Sequence, residues 1–540
     1  MAHCEYVLHN TNMLNVHELK AQDLQRLSPD ALAEVAATML LHIAEQSKLI
    51  TSQAQAIKFR DVKIERIMFE LTRLKSWRFC AKTERMNAEQ RQLFEETLAA
   101  DQASLEAQLE ALQGQPGIQG EPAGKTPARQ PKRQALPEHL RRVDHHHEPE
   151  NTTCDCGQLM VRIGEDVSEK LDIVPAEFFV HRHVRGKWAC KCCQTLVQEP
   201  VEPHIIDKGM PAEGLIAHTL VSRFVDHIPY YRQEQINARS GIHTPRSTLA
   251  AWSGQGGAGL MPLYDAHRKF VLGANVLHAD ETPVNMLDPG AGKTKRAYIW
   301  AYARSGFDVL PGVVYDFCVG RGAKYPVAFL QGWSGTLVCD GYAAYDTVFK
   351  LERRIEAGCL AHARRKFDEL IKDNQSPVAA QAVQRIALLY RIEREARDLS
   401  VEQRLDMRQV RAKPLWEEMH VWLQLERRRV PDGSAIANTI DYSLNRWTAL
   451  MANLADGDVP IDNNHIENLM RPWAMGRKAW LFAGSQLAGQ RAAIVMSLVQ
   501  SAKMHGHDPW AYLKDVLTRL PSHLNSRIDE LLPHRWQPLD

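Results

Sequence analysis

No run of about 18 apolar residues, the length a membrane-spanning helix needs, occurs anywhere in the chain; even "LAEVAATMLLHIAE" is broken by Glu34, His42 and Glu45. The first twenty residues, "MAHCEYVLHNTNMLNVHELK", lack the basic start and unbroken apolar stretch of an export signal. Both absences predict a cytoplasmic protein with reduced thiols and no membrane partner. Net charge is nearly absent as well: 66 lysines and arginines meet 65 acids, leaving +1 over 540 residues. That balance excludes one uniformly basic or acidic polymer, so charge has to be read segment by segment. Cysteine is scarce, ten in all, yet five fall between positions 154 and 193. The length suits three or four domains of ordinary size.

What is present begins with helix. The pattern is helical from Ala31 to about Lys75, and Ile43, Ile50, Ile57, Ile64 and Leu71 recur every seven residues as one seam of a coiled coil. The companion seam is poor, with Gln46, Gln53 and Arg60 ahead of Ile67 and Leu74, so a dimer zipper and a long helix docked on its own chain both fit. A second helix, "FEETLAADQASLEAQLEAL", completes a helical region at 20–112. A linker at 113–150 follows, opening with "QGQPGIQGEPAGKTP", which has turn formers but no core formers. It continues as "KTPARQPKRQALPEHLRR", in which Lys125, Arg129, Lys132, Arg133, Arg141 and Arg142 outnumber a single Glu138. Such a stretch is either a solvated tether or an arm that contacts phosphates.

The clustered cysteines define the next unit, 151–203. Cys154 and Cys156 lie in "CDCG", Cys190 and Cys193 in "CKCC", and the segment between them is strand-rich and too small for much of a core. Thiolates suit tetrahedral Zn²⁺, so a structural zinc on these four is expected, reduced cysteines without metal being the alternative. Cys192 is a spare, and "HHH" at 145–147 is expected to be solvated rather than ligating.

Residues 213–257, within a helical segment at 204–265, predict three short helices, divided by Pro229 and Gly241, the last opening at Thr244-Pro245-Arg246. The outline fits a helix-turn-helix with Arg246 toward DNA, and equally a plain helical subdomain. The texture then changes to strands: "NVLHADETPVNML", "RAYIWAYA", "VLPGVVYDFCV" and "GTLVCDGYAAY" predict a mixed sheet. Two of them lead into an acid, Asp280 and Asp340. Later, "VPIDNNHIENLMRPWAMGRKAW" sets Glu467 among amides and the cations Arg471, Arg477 and Lys478, which favour an ionised carboxylate and can grip phosphates. Taken alone, "DNNHIEN" also fits a polar helix start capped by Asp462. The three acids together form a set of hard oxygen ligands suited to one or two Mg²⁺ ions.

The ordered set "HADETPV", "CDGYAAY", "GCLAHARRKF" and "DNNHIENLMRPWAMGRKAWLFAGS", preceded by the cysteine pairs and followed by "SAKMHGHDPWAYLKDVLTRLPSHLNSRIDELLPHRW", resembles the large, TnpC-type transposases of insertion-sequence family 66 over nearly the whole chain. The resemblance implies a DDE transposase with a ribonuclease-H-like core, a metal-binding triad of Asp280, Asp340 and Glu467, and two Mg²⁺ or Mn²⁺ ions. It implies a catalytic domain at 266–500 with a helical insertion at about 367–456, followed by a helical tail at 501–540. It adds Arg364 and Arg365 as DNA contacts beside His362 and Lys366, for His362 either a structural or a catalytic role being open. Its partners would be transposon ends and target DNA, a second copy of the chain, and two small companion proteins. Leu360 stands where Trp is expected, and "FCAKTERM" departs from a Gly-Arg-Arg-Ser-Glu-Arg-like stretch; neither touches the triad.

The expected architecture is therefore multi-domain α+β: an N-terminal long helix or coiled coil, a small zinc-binding domain, a helix-turn-helix-like segment, and a ribonuclease-H-like α/β core with a helical insertion. The expected activity is metal-dependent cleavage and strand transfer at the element's terminal inverted repeats. Two rivals use much of the same sequence: a DNA-binding regulator or decayed transposase without catalysis, and a nuclease that cuts without joining.

Overall fold

The computed structural model describes parts of 36–72, then 88–113, and the chain from 136 to 538 except 137, 139, 150–151, 154–157, 175–176, 207–208, 289–290, 292, 351–352, 375 and 481. It divides into two units, one of Met1–Thr72 with Leu109–Gly117, the other of Arg73–Gln108 with Ile118–Asp540. In the first, every described residue between 36 and 72 is helical. Ile43, Ile50 and Ile57 of the heptad seam are exposed, whereas Ile67 and Leu71 are buried. Among the described residues no helix is long and apolar enough to cross a membrane.

The second unit holds two sheets. In the smaller, β1 (Arg141–His147) runs parallel to β3 (Glu177–Ala189), which is antiparallel to β2 (Val161–Val174) on its other side. β4 (Leu196–Gln198) pairs with the end of β3. Residues 141–147, expected to finish the linker, are thus an edge strand. Arg142 is held there by Glu169 at 3.0 Å, and Arg141 lies over the Phe179 ring and near Glu177, so these two cations sit in the sheet and not on a free arm. Lys125, Arg129, Lys132 and Arg133 lie outside the described residues.

Helix α1 (Ala88–Gln113) precedes this sheet; α2 (Glu213–Phe224), α3 (Tyr230–Arg239), α4 (Arg246–Gly259) and α5 (Met261–Val271) follow it. The three expected helices at 213–257 are present, and Gly241 supplies the left-handed turn between α3 and α4 at φ +76°. A recognition helix needs a solvent-facing side, yet α4 buries Leu249, Ala250, Trp252, Ser253, Gly254, Gly256, Gly257 and Ala258. A Cβ on Gly254 would stand 2.1 Å from the Ala100 carbonyl of α1, which shows how closely these helices approach. α4 is therefore a core helix, with half-buried Arg246 at its first position.

The larger sheet has the order β7-β6-β5-β8-β9. β5 (Val276–Asp288), β6 (Lys293–Arg304) and β7 (Val313–Cys318) form an antiparallel meander; β8 (Gly335–Cys339) and β9 (Arg354–Gly358) add parallel to β5. Alternation along β5 sends Leu277 and Ala279 into a core with Trp300, Tyr302 and Leu337, and Val284 and Met286 into the core on the opposite face.

After β9 the described residues from Leu360 to Leu454 form helices joined by short turns, including α6 (Leu360–Asn374), α7 (Pro377–Ala396), α8 (Lys413–Arg429) and α9 (Ala435–Asn445). This insertion has its own core of Phe367, Ile386, Trp416, Leu423 and Ile440. The buried Arg408 guanidinium ties it together, pairing with Glu393 at 2.7 Å and donating to the Asn453, Asp456 and Gly457 carbonyls. The chain returns to the sheet as α10 (Asn464–Trp480), α11 (Gln486–Met504) and α12 (Pro509–Arg519). α12 buries Tyr512, Leu513, Val516 and Leu517, and its Trp510 donates to the Gly214 carbonyl at 3.0 Å, so the tail packs against the body of this unit.

Candidate catalytic and metal centre

Asp280, Asp340 and Glu467 come from three elements near one end of the β5–β8 pair, close enough for the charges of Asp340 and Glu467 to act on Asp280. Asp280 is not at the end of its strand, as the sequence suggested: β5 continues to Asp288. It is the pairing with β8 that stops, at His278↔Val338, and Asp340 directly follows β8. Two parallel strands parting here put both carboxylates at the same level. Alternation turns Asp280 to one face of β5 and Glu281 to the other, where Arg321 at 2.8 Å and the Tyr345 hydroxyl at 3.0 Å satisfy the Glu281 carboxylate. The second acid of "HADET" is thus a buried structural group.

Glu467 lies in the first turn of α10. Asn463, fully buried, fixes that turn to β5: its side-chain N–H donates to the Ala279 carbonyl at 2.8 Å, and its Oδ1 accepts from His278 Nδ1 at 2.7 Å. An amide oxygen only accepts, so His278 carries its proton on Nδ1. Burial pushes this imidazole down to about 3, which keeps it neutral. His278 and Asn463 are positioning residues to which the sequence alone assigned no role; the signal was a histidine two before Asp280 and the paired asparagines of "DNN". Asp462, expected as the helix cap, accepts from the Asn464 backbone N–H at 3.0 Å and from the Tyr390 hydroxyl at 2.8 Å.

Asp340 is set by its turn. Gly341 has φ +85°, and a Cβ there would meet the Arg446 guanidinium 2.3 Å away. Arg446 donates to the Gly341 carbonyl at 3.3 Å and the Tyr442 hydroxyl to the Asp340 carbonyl at 2.9 Å, so the helical insertion holds the second acid in place.

The electrostatics are those of an acid cluster. Burial, then the charges of Glu281, Asp340 and, more weakly, Glu467, push the Asp280 carboxyl up to about 8. The cations differ from expectation. Arg477 turns away to Thr282 Oγ1 at 3.2 Å and the Pro283 carbonyl at 2.9 Å, and Arg471 and Lys478 are exposed. The charge beside Glu467 comes instead from α6, where Arg365 reaches its Oε2 at 3.4 Å; Arg364 pairs with Asp368 at 3.5 Å. Glu467 Oε1 is buried without a hydrogen-bond partner among the described residues. Three converging carboxylates, one with a raised proton affinity and one with an orphaned oxygen, fit a hard divalent cation.

A second polar cluster sits in the small sheet. Parallel pairing aligns His145 with His183, and alternation brings His145 and His147 to the face carrying His181 and His183. The rings stack 5.0 to 5.4 Å apart, with His145 Nε2 and His181 Nδ1 at 2.8 Å and His147 Nε2 and His183 Nδ1 at 3.1 Å. His181 Nε2 donates to buried Asp172 at 2.8 Å. The expectation of a solvated "HHH" holds for exposed His146 alone; strand pairing, invisible in a linker reading, overturns it for the other two.

Of the zinc candidates, Cys190 is buried against Met160 and Cys193 is exposed, in a turn closed by hydrogen bonds of 3.0 Å between Cys190 and both Gln194 and Thr195. Cys154 and Cys156 lie outside the described residues, between Thr153 and Leu159, which bridge one another.

Known families match this layout. The model described as "Transposase IS66 family" covers residues 208–491, "zinc-finger binding domain of transposase IS66" covers 151–194, "IS66 C-terminal element" covers 497–534 and "Transposase C of IS166 homeodomain" covers 66–144. Among similar proteins of Sinorhizobium fredii (strain NBRC 101917 / NGR234), the uncharacterized protein y4jD is 38% identical over 74% of this chain and 81% of its own length. The uncharacterized protein y4qI is 38% identical over 77% and 80%. A transposase model spanning more than half the residues, with its zinc-finger and C-terminal companions in order on either side, makes this chain a member of the IS66 transposase family.

Proposed function

We propose that this chain is a DDE transposase that cuts the ends of its insertion sequence and joins them to target DNA. The observation that carries the reading is the meeting of Asp280, Asp340 and Glu467, close enough for the latter two to raise the proton affinity of the first. The antiparallel meander β5–β7 extended by parallel β8 and β9 supports a ribonuclease-H-like core.

Two Mg²⁺ or Mn²⁺ ions, when bound, supply activation of the attacking oxygen and stabilisation of the leaving one in an in-line phosphoryl displacement. The chain's own residues do the rest. Asp280, on which the charges of both other acids act, would hold the ions together with Asp340 and Glu467. Asn463 and His278 keep Glu467 facing β5, and Tyr442 and Arg446 keep Asp340 at the strand end. Arg365 is half-exposed next to Glu467, where it would take a DNA phosphate. No covalent intermediate with the protein is needed.

The zinc-finger match supports a structural Zn²⁺ on Cys154, Cys156, Cys190 and Cys193. Lys125, Arg129, Lys132 and Arg133 would add phosphate contacts from the linker, and Arg246 a contact from the start of α4. Pairing of two chains, companion proteins of the same element and a cytoplasmic location belong to the same reading.

Strand transfer in vitro tests it: purified protein, labelled element ends, a target plasmid and Mg²⁺, with and without the companion proteins. Joined product that disappears with Glu467→Gln is expected. End binding with neither cleavage nor joining under any of these conditions would make the chain a non-catalytic DNA-binding protein, and cleavage without joining would make it a nuclease.

A further inference from the structure

His362 takes no part in the three-acid scheme, yet its surroundings single it out. It stands in the first turn of α6 just after β9, and its Nδ1 points at Glu467 Oε1 from 3.7 Å. That is too long for a hydrogen bond. Both atoms are closed off from solvent and neither has a hydrogen-bond partner among the described residues. Two facing orphans are costly to bury unless something occupies the space between them.

The rest of the local structure keeps the pair aimed at each other. Arg365 takes the other oxygen of Glu467 at 3.4 Å, which leaves Oε1 for His362. Cys359 completes a group whose ligand atoms lie within 4.8 Å of one another. Its Sγ, however, already accepts the Asn463 backbone N–H at 3.1 Å, and it is buried. The sulfur serves as a wall and hydrogen-bond acceptor; the imidazole nitrogen and the carboxylate oxygen are the available donors. Two adjacent ligands on one ion, each at about 2.1 Å, are roughly 3 Å apart, so a small side-chain adjustment brings this pair into place.

We propose, resting on the three-acid reading above, that His362 Nδ1 joins Glu467 Oε1 as a ligand of one divalent cation in the catalytic centre. An imidazole in the ligand set makes that position favour Mn²⁺, Co²⁺ or Zn²⁺ over Mg²⁺, which prefers an all-oxygen shell. The Asp280–Asp340 side, built of oxygens alone, carries no such bias.

Pulsed EPR on the full-length, zinc-replete protein with added Mn²⁺ tests this without any need for turnover. The expected result is a hyperfine coupling from a directly bound nitrogen that vanishes in His362→Gln and persists in Cys359→Ser. Mn²⁺ affinity in His362→Gln should fall about tenfold while Mg²⁺ affinity falls less. Mn²⁺ bound without nitrogen coupling, or coupling unchanged in His362→Gln, overturns the proposal. Asp280→Asn separates the two readings. If it abolishes Mn²⁺ binding while the unsubstituted protein shows no nitrogen coupling, the three acids stand and His362 falls. If Mn²⁺ fails to bind at all, or binds as well to Asp280→Asn, both fall.

Discussion

Each sheet of the larger unit gathers like side chains on one face, and the two solve the resulting problem differently. The larger sheet gathers carboxylates, the smaller one imidazoles. A neutral imidazole donates through one nitrogen and accepts through the other, so His145, His181 and Asp172 form a chain in which each group satisfies the next. Burial, then the neighbouring rings, hold His183 down to about 4, so that ring stays uncharged. Carboxylates have no neutral form at ordinary pH unless something raises their proton affinity, and Asp280 is raised for that reason. Even so, the imidazole cluster completes itself, whereas the carboxylate cluster leaves one oxygen, Glu467 Oε1, without a partner among the described residues.

The sharpest way to break that comparison is to remove the central acid. Asp280→Asn should abolish cleavage and joining in the strand-transfer assay, and it should also remove the rise in melting temperature that Mg²⁺ or Mn²⁺ gives the unsubstituted protein. An undiminished metal-dependent shift would mean that the ions bind elsewhere.

Arg321→Ala tests the neighbouring acid that needs no cation. Glu281 is almost wholly buried and depends on a guanidinium that is itself partly exposed, so the loss should be about 2 kcal/mol by urea unfolding. Adding Glu281→Gln should recover part of it, because a neutral amide can still accept from Tyr345. No recovery would mean that the buried charge is not what the arginine offsets.

The histidine stack predicts a smaller, pH-dependent effect. The folded protein refuses a proton at His183 that the unfolded chain binds with the ordinary value of 6.5. This contribution to stability is full above about 6.5 and is lost as the pH falls through that value toward about 4. Histidine-detected NMR should find His183 titrating near the lower value; titration near 6.5 would show that the ring is solvated.

The smallest expected effect concerns the linker. Neutralising Lys125, Arg129, Lys132 and Arg133 should lower the slope of log affinity for the element's ends against log salt by about 0.9 for each phosphate left without its cation, and leave the metal response untouched. An unchanged slope would make the segment a tether.

Much of this centre was legible because its chemistry sits in short local strings. "HADET", "CDGY" and "NNHIEN" announce carboxylates, although the expected strand end holds for Asp340 and not for Asp280, which lies inside β5. The three strands of the meander and β8 were readable as short β-rich runs with turns between them, and the helical insertion followed from the family resemblance. What escaped depended on partners far along the chain. Nothing near Arg477 says that it turns to Thr282 and Pro283, or that Glu467 is met by Arg365 from 102 residues away. The strand at 141–147 looked like linker because its composition is polar, and an edge strand is made by the neighbour it pairs with. α4 fitted a recognition helix and a plain core helix equally well, because its glycines hide how much of it is buried.

The sequence by itself determined which groups are available: three acids, four paired cysteines, a glycine where Asp340 needs a left-handed turn. Local propensity and residue type suffice for that, since each depends on a few adjacent residues. Only the tertiary structure decided which groups meet. The parting of β5 from β8 sets Asp280 beside Asp340, the Asn463 amide draws Glu467 to them, and α6 turns His362 and Arg365 onto the same carboxylate. These contacts join residues more than a hundred positions apart, or depend on contacts that do, and long-range packing, which no local pattern encodes, is what brings them together.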